Sequence, residues 1–168
     1  MKPDIMLDNI FAIDYLFLHK HHIKALILDL DNTLIAWNST QLSAKVAQWV
    51  HGLTRHGIQI MIVANNPPMR VQGVAGKLGI PYIAKASKPQ ARVFETARTR
   101  MSCNNEEVAV VGDRVLQDIA TPFKLRMFTI LVRPIKTNEF FLIRLIRVIE
   151  SFYLRQWKKQ GMDFQSTI

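Results

Sequence analysis

Four acids in two pairs are the residues best placed to do chemistry. The first pair, Asp29 and Asp31, closes the apolar run in "ALILDLDNTLIAW". The second, Asp113 and Asp118, follows another apolar run in "VVGDRVLQD". Successive strand residues point to opposite faces, so positions 29 and 31 project to the same side of a strand. Like charges held that close repel unless a cation sits with them or one carries a proton. Three or four carboxylates around a small hard cation describe a Mg²⁺ site, one that keeps some of its waters and accepts a phosphate oxygen. Such a site requires two segments far apart in the chain to meet.

The elements that must bring them together show in the hydrophobic pattern. Short β-rich runs occupy 24–30, 58–64, 81–84, 107–112 and 127–132, with helical candidates at 41–56, 68–78, 89–101 and 115–125. Gly57, Gly79, Pro81 and Pro134 stand at the boundaries, as helix stops and strand entries do. The runs at 24–30, 58–64 and 107–112 are apolar on both faces, the pattern of strands covered by helices on each side. The alternation predicts an α/β fold, a doubly wound and mostly parallel five-stranded sheet with right-handed crossovers. Ligands of such sheets bind beyond the carboxyl ends of the strands, where the winding reverses. If the chain winds first one way and then the other, the first and fourth runs become neighbours and all four acids face one crevice. A helix is expected over about 9–19 and a longer one over about 138–158, all within one domain spanning 1–168.

With 168 residues, 49% of them hydrophobic, the chain suits one domain with a real core and excludes a disordered polymer. The single Cys103 excludes an internal disulfide and a cysteine-based zinc site, and fits a reducing compartment such as the cytoplasm. Asp4, Asp8 and Asp14 interrupt the first apolar residues, where a secretory signal wants an uncharged stretch. The net charge is +9, and from Lys124 to Lys159 nine basic residues face only Glu139 and Glu150. That excess predicts a polyanionic partner, either nucleic acid or an anionic membrane surface. Arg70 and Arg114 fall in loops beside the expected crevice, where they could contact phosphate, and surface solvation is the safer reading for each. His19, His21 and His22 read as a solvated turn, since no matching ligand set accompanies them.

The motifs resemble those of the haloacid dehalogenase (HAD) superfamily of phosphohydrolases. "DLDNTL" looks like its first motif, "GDRVLQD" is similar to its GDxxxxD motif, and Lys88 in "ASKP" matches its intervening lysine. The resemblance implies that Asp29 is the nucleophile attacking phosphorus. Asp31 would then be the general acid for the leaving oxygen and later the base for water. Metal binding would fall to Asp29 and Asp113, with Asp31 and Asp118 completing the shell, and Mg²⁺ is the cofactor implied. Lys88 would offset the gathered negative charge, and Thr33 and Asn65 would help bind the phosphate. One position departs from the family pattern: Ala64 stands where the second motif ends in Ser or Thr. Losing one such donor can lower a rate roughly a hundredfold where nothing replaces it, which predicts a slower enzyme rather than a dead one.

The gaps between motifs bear on substrate. Only 33 residues separate Asp31 from Asn65, and 21 separate Asn66 from Lys88, too few for a cap domain. An uncapped crevice suits a substrate whose own bulk closes the site. In "FFLIRLIRVIESFYLRQW" (140–157), Arg144, Arg147, Ser151 and Arg155 recur at helical intervals, and Lys158 continues the stripe. Three arginines argue against a bilayer-spanning helix, and a basic amphipathic helix fits either a membrane interface or packing on its own sheet. "DLDNTLIAW", "VANNPPMRV" and "TILVRPI" resemble the YqeG-like branch of HAD subclass IIIA, related to phosphatidylglycerophosphate phosphatases. That likeness implies a phosphorylated lipid as substrate and peripheral contact with anionic membrane. A nucleic-acid terminal phosphatase and a catalytically weak scaffold are the alternatives, and the oligomeric state is left open.

Overall fold

A computed structural model describes residues 2–135 and 141–165, with the backbone course alone for 141–149. Six parallel strands form one sheet: β1 (Ile5–Leu7), β2 (Ala25–Leu28), β3 (Gln59–Val63), β4 (Tyr82–Ile83), β5 (Val108–Gly112) and β6 (Phe128–Val132). Their order across the sheet is β1-β6-β5-β2-β3-β4. From β2 the chain winds outward through β3 and β4, then returns to place β5 on the other side of β2. The register sets Leu28 beside both Ile62 and Val111, so the ends of β2, β3 and β5 are level. The winding reverses between β2 and β5, as the sequence predicts.

Both faces of the sheet are covered. On one side Leu26, Leu28, Ile60, Ile62, Ala109 and Val111 pack with Leu18, Val50, Val71 and Leu78. These come from α1 (Tyr15–Lys20), α2 (Ala44–Arg55) and α3 (Pro68–Leu78). On the other, Ala25, Ile27, Met61, Val63 and Val110 pack on Phe94 and Ala97 of α4 (Ala91–Arg100). Neighbouring strand residues thus serve opposite cores, which is why these runs lack polar alternation. A short helix, α5 (Ala120–Lys124), precedes β6, and a long one, α6 (Phe141–Lys159), follows it.

Two expectations are corrected. The sheet has six strands rather than five: the additional one, β1, has three residues flanked by Asp4 and Asp8, too short a run to show a period. Asp4 anchors it, accepting from the Thr129 backbone and hydroxyl at 2.7 Å each. The helix expected over 9–19 is two pieces, a 3₁₀ turn at Ile10–Ala12 and α1. Asp14 divides them by capping α1, its carboxylate accepting from Phe17 N–H at 2.7 Å.

The C-terminal helix resolves in favour of packing over its described side chains. Trp157 is buried against Met6, Val115, Ile119 and Leu131, with Tyr153 and Leu154 alongside. Beyond it, Gln165 pairs with Leu7 and extends the sheet's edge. The side chains of Arg144 and Arg147, and residues 136–140 at the helix start, lie outside the described residues. Among the described residues, no helix is long and apolar enough to cross a membrane.

Candidate active site

Asp29 and Asp113 each sit one residue past a strand end, on the adjacent strands β2 and β5. Asp29 N–H still donates to Val111 C=O at 2.9 Å, so the ladder fixes the backbone up to the acid itself. A turn of π-helix, Val115–Ile119, follows Asp113 and folds Asp118 back beneath it. Such wide turns recur at functional sites because they re-aim a side chain. Carboxylate oxygens of Asp29, Asp113 and Asp118 lie within 4.8 Å of one another. Gly112 makes this possible: a Cβ there would stand 2.3 Å from the Asp118 carboxyl carbon. An all-oxygen, acidic donor set of this size fits a hard divalent cation.

Lys88 comes from the segment between β4 and α4, and its ammonium reaches between two of these acids. Nζ donates to Asp29 Oδ1 at 2.5 Å and to Asp118 Oδ1 at 2.6 Å. Burial opposes its charge, but Asp118 and Asp29 outweigh it and hold the lysine pKa above its ordinary value. Burial pushes Asp118 up to about 6, aided by Asp29 and opposed by Lys88. One ammonium cannot balance three carboxylates. The lysine stays charged, and the surplus negative charge is relieved at Asp118 by a proton or by a metal ion.

Asp31 is near but is not one of the three clustered acids. Its Oδ2 accepts from Asn66 Nδ2 at 2.7 Å and from Arg70 Nη1 at 3.2 Å, while Oδ1 accepts from Arg70 Nη2. Arg70 also donates to Ser39 C=O at 3.0 Å, tying the acid to the loop ahead of α2. Burial raises the Asp31 pKa, the Asn66 and Arg70 bonds lower it, Asp29 raises it, and the net direction is up. With both oxygens accepting, however, the geometry is that of the ionised form. A proton enters when one of those bonds yields.

The remaining predicted residues are placed as follows. Thr33 is buried, and its hydroxyl donates to Asp29 Oδ2 at 3.4 Å. Asn65 lines the cleft, yet its side chain grips the Lys88 backbone, accepting from N–H at 2.8 Å and donating to C=O at 3.1 Å. Ala64 is fully buried, and its N–H continues the ladder to Ile83 C=O. Arg70, read from sequence as solvated, is the partner of Asp31 instead. Its place in the first turn of α3, just after "NNPP", is the signal that could have found it. Arg114 likewise lines the cleft. Above the acids opens a cleft of about 280 Å³, walled by Asp29, Asp31, Trp37, Asn66, Asp113 and Gln117 among others. No cap covers it.

Comparison with known proteins bears on the family of the chain. Residues 35–122 match the model of the haloacid dehalogenase-like hydrolases. The chain is 35% identical over 159 residues to a probable phosphatase, YqeG, of Bacillus subtilis, covering 95% of this chain and 92% of that one. It is 24% identical to phosphatidylglycerophosphate phosphatase 1 of Arabidopsis thaliana, of which it spans 49%. The corresponding Chlamydomonas reinhardtii enzyme is 26% identical, and the chain spans 63% of it. Among solved structures, the cobalt-bound deoxy-D-mannose-octulosonate 8-phosphate phosphatase of Haemophilus influenzae shares the fold. Its TM-score is 0.55 at 16% identity, covering 67% of this chain and 69% of that one. A HAD subfamily IIIA hydrolase from Legionella pneumophila gives 0.51 at 22% identity, covering 64% and 62%. A doubly wound sheet, acids at the ends of two adjacent strands and a relative matched along nearly its whole length lead to one conclusion: the chain belongs to the haloacid dehalogenase-like hydrolases and is a phosphatase.

Proposed function

We propose that this phosphatase is Mg²⁺-dependent and hydrolyses phosphatidylglycerophosphate at a membrane surface, through a phosphorylated Asp29. The observation that carries the chemistry is the convergence of Asp29, Asp113 and Asp118 within 4.8 Å at the floor of an open cleft. A bound Mg²⁺, held by these acids, would neutralise charge on the phosphate oxygens. Asp29 attacks phosphorus through a carboxylate oxygen as the P–O ester bond breaks, and Asp31 gives a proton to the leaving alkoxide. Water then attacks the aspartyl phosphate. Asp31 takes its proton, and inorganic phosphate leaves. Lys88, fixed between Asp29 and Asp118, offsets the charge that builds during attack. Asn65 contributes by holding the Lys88 backbone. Phosphate binding by Asn65 itself would fall to its main chain, since its side chain is engaged.

The substrate rests on two supports. The uncapped cleft suits a phosphate presented by a bulky surface, and two relatives bear the name phosphatidylglycerophosphate phosphatase. The test is phosphate release, with and without Mg²⁺, from lipid vesicles containing phosphatidylglycerophosphate, from terminally phosphorylated oligonucleotides and from small phosphoesters. Release from the lipid at the highest kcat/KM supports the reading. Release confined to oligonucleotides would overturn the lipid substrate, and release equal with and without Mg²⁺ would overturn the metal.

A further inference from the structure

Among the described residues, Arg114 is the one cation lining the cleft. The site's other positive side chains among the described residues are already committed, Lys88 to Asp29 and Asp118 and Arg70 to Asp31. Arg114 is tied down at its main chain, its N–H donating to Asp118 Oδ2 at 3.2 Å. Two of its guanidinium nitrogens are not. Nε and Nη2 are shielded from solvent and have no hydrogen-bond partner. A guanidinium keeps its charge under all ordinary conditions, and its planar fork matches a phosphate edge. A permanent charge with unspent donors, in the wall of a cleft that holds the nucleophile, calls for an anion.

We infer that Arg114 binds a second anionic group of the substrate, a phosphodiester joined through glycerol to the phosphate that Asp29 attacks. The inference rests on the lipid phosphatase reading above and deepens it. The phosphate being transferred is already served by Lys88 and by whatever cation the three carboxylates hold. The cleft, about 280 Å³, has the volume of roughly nine liquid waters at ~30 Å³ each, more than one phosphoryl group fills. It admits a glycerol and a second phosphate, and acyl chains would remain outside. Arg114 thus selects substrates carrying two phosphates over those carrying one.

The test uses two soluble probes so that membrane binding plays no part: deacylated phosphatidylglycerophosphate, which keeps the phosphodiester, and glycerol 3-phosphate, which lacks it. Arg114→Gln is expected to lower kcat/KM on the first by about 10- to 100-fold, mostly through KM, as loss of a charge-assisted contact does. The loss on the second should be at least several-fold smaller. Arg114→Lys, which keeps the charge and loses the fork, should fall between, and circular dichroism checks that both variants fold. Equal losses on the two probes, no loss on either, or a wild type that does not prefer the first would overturn the inference. So would a loss seen only with phosphorylated oligonucleotides. The lipid reading is judged separately, by whether wild-type protein releases phosphate from vesicles at all.

Discussion

Gly112 shows how much a single missing atom decides. The approach of Asp118 to the end of β5 leaves no room for a Cβ, which would meet Asp118 atoms at 2.3–2.4 Å. Gly112→Ala should therefore displace the carboxylate that pairs with Lys88 and is proposed to hold the metal. Overpacking of this kind costs about 1–3 kcal/mol, and the expected result is a lower melting temperature together with phosphatase activity reduced at least tenfold. Retained activity would mean that Asp118 is not needed where it lies. If Asp118 is a metal ligand, as proposed, metal binding should depend on pH. Its carboxyl, pushed up to about 6 by burial, must lose its proton to join Asp29 and Asp113 around a cation. The proton competes below that value, so the rise in melting temperature on adding Mg²⁺ should be full near pH 8 and shrink as pH falls through about 6. In the metal-free protein the sign reverses for this one group. A carboxyl whose folded pKa is raised contributes stability below its unfolded value of 3.8, and that contribution is lost as pH rises through about 6. Asp29, Asp31 and Asp113 were legible in the sequence because they close apolar strand runs, and Asp118 and Lys88 because they fall in motifs that resemble those of the family. The Arg70–Asp31 pair was not, because the contact joins a helix start to a loop across 39 residues, and no local pattern records it.

At the scale of elements, the helix with the least certain role turns out to support the site. Trp157 of α6 packs on Val115 and Ile119, which bracket Asp118 in the π-turn, and Leu116 N–H donates to Glu150 of the same helix at 3.3 Å. Trp157→Ala should cost about 3–5 kcal/mol, the usual range for a buried tryptophan. Through that turn it should also weaken metal affinity, and a stability loss without any change in metal binding would separate α6 from the site. The long strands and their parallel pairing could be read in advance, since runs apolar on both faces leave few alternatives to a parallel sheet. The edge could not. β1 is three residues long and is held by Asp4 on Thr129 and by pairing with Gln165, contacts from opposite ends of the chain.

Across the whole molecule, the positive charge is sorted by the fold. Helices that connect parallel strands run back against them, so helix ends gather at the edge of the sheet opposite the acids. There lie Lys20, Arg55, Lys77, Arg98, Arg100, Lys124, Lys158 and Lys159, each in the last turn of its helix. Cations there complement the helix dipole. Much of the +9 net charge therefore serves the helices, which composition alone does not reveal. If the cleft end meets the lipid, reversing charge at Lys158 and Lys159 together should leave kcat/KM on anionic vesicles unchanged. A large loss would instead place the membrane against the far end of α6.

The central claim is that Asp29 becomes phosphorylated during turnover. Acid quenching of the working enzyme, followed by mass spectrometry of the peptide spanning 25–37, tests it most directly. A phosphoryl group on Asp29 that requires Mg²⁺ and is absent from the Asp29→Asn variant is the expected result. Steady turnover with that peptide unmodified, or a variant lacking Asp29 that still turns over, would contradict it.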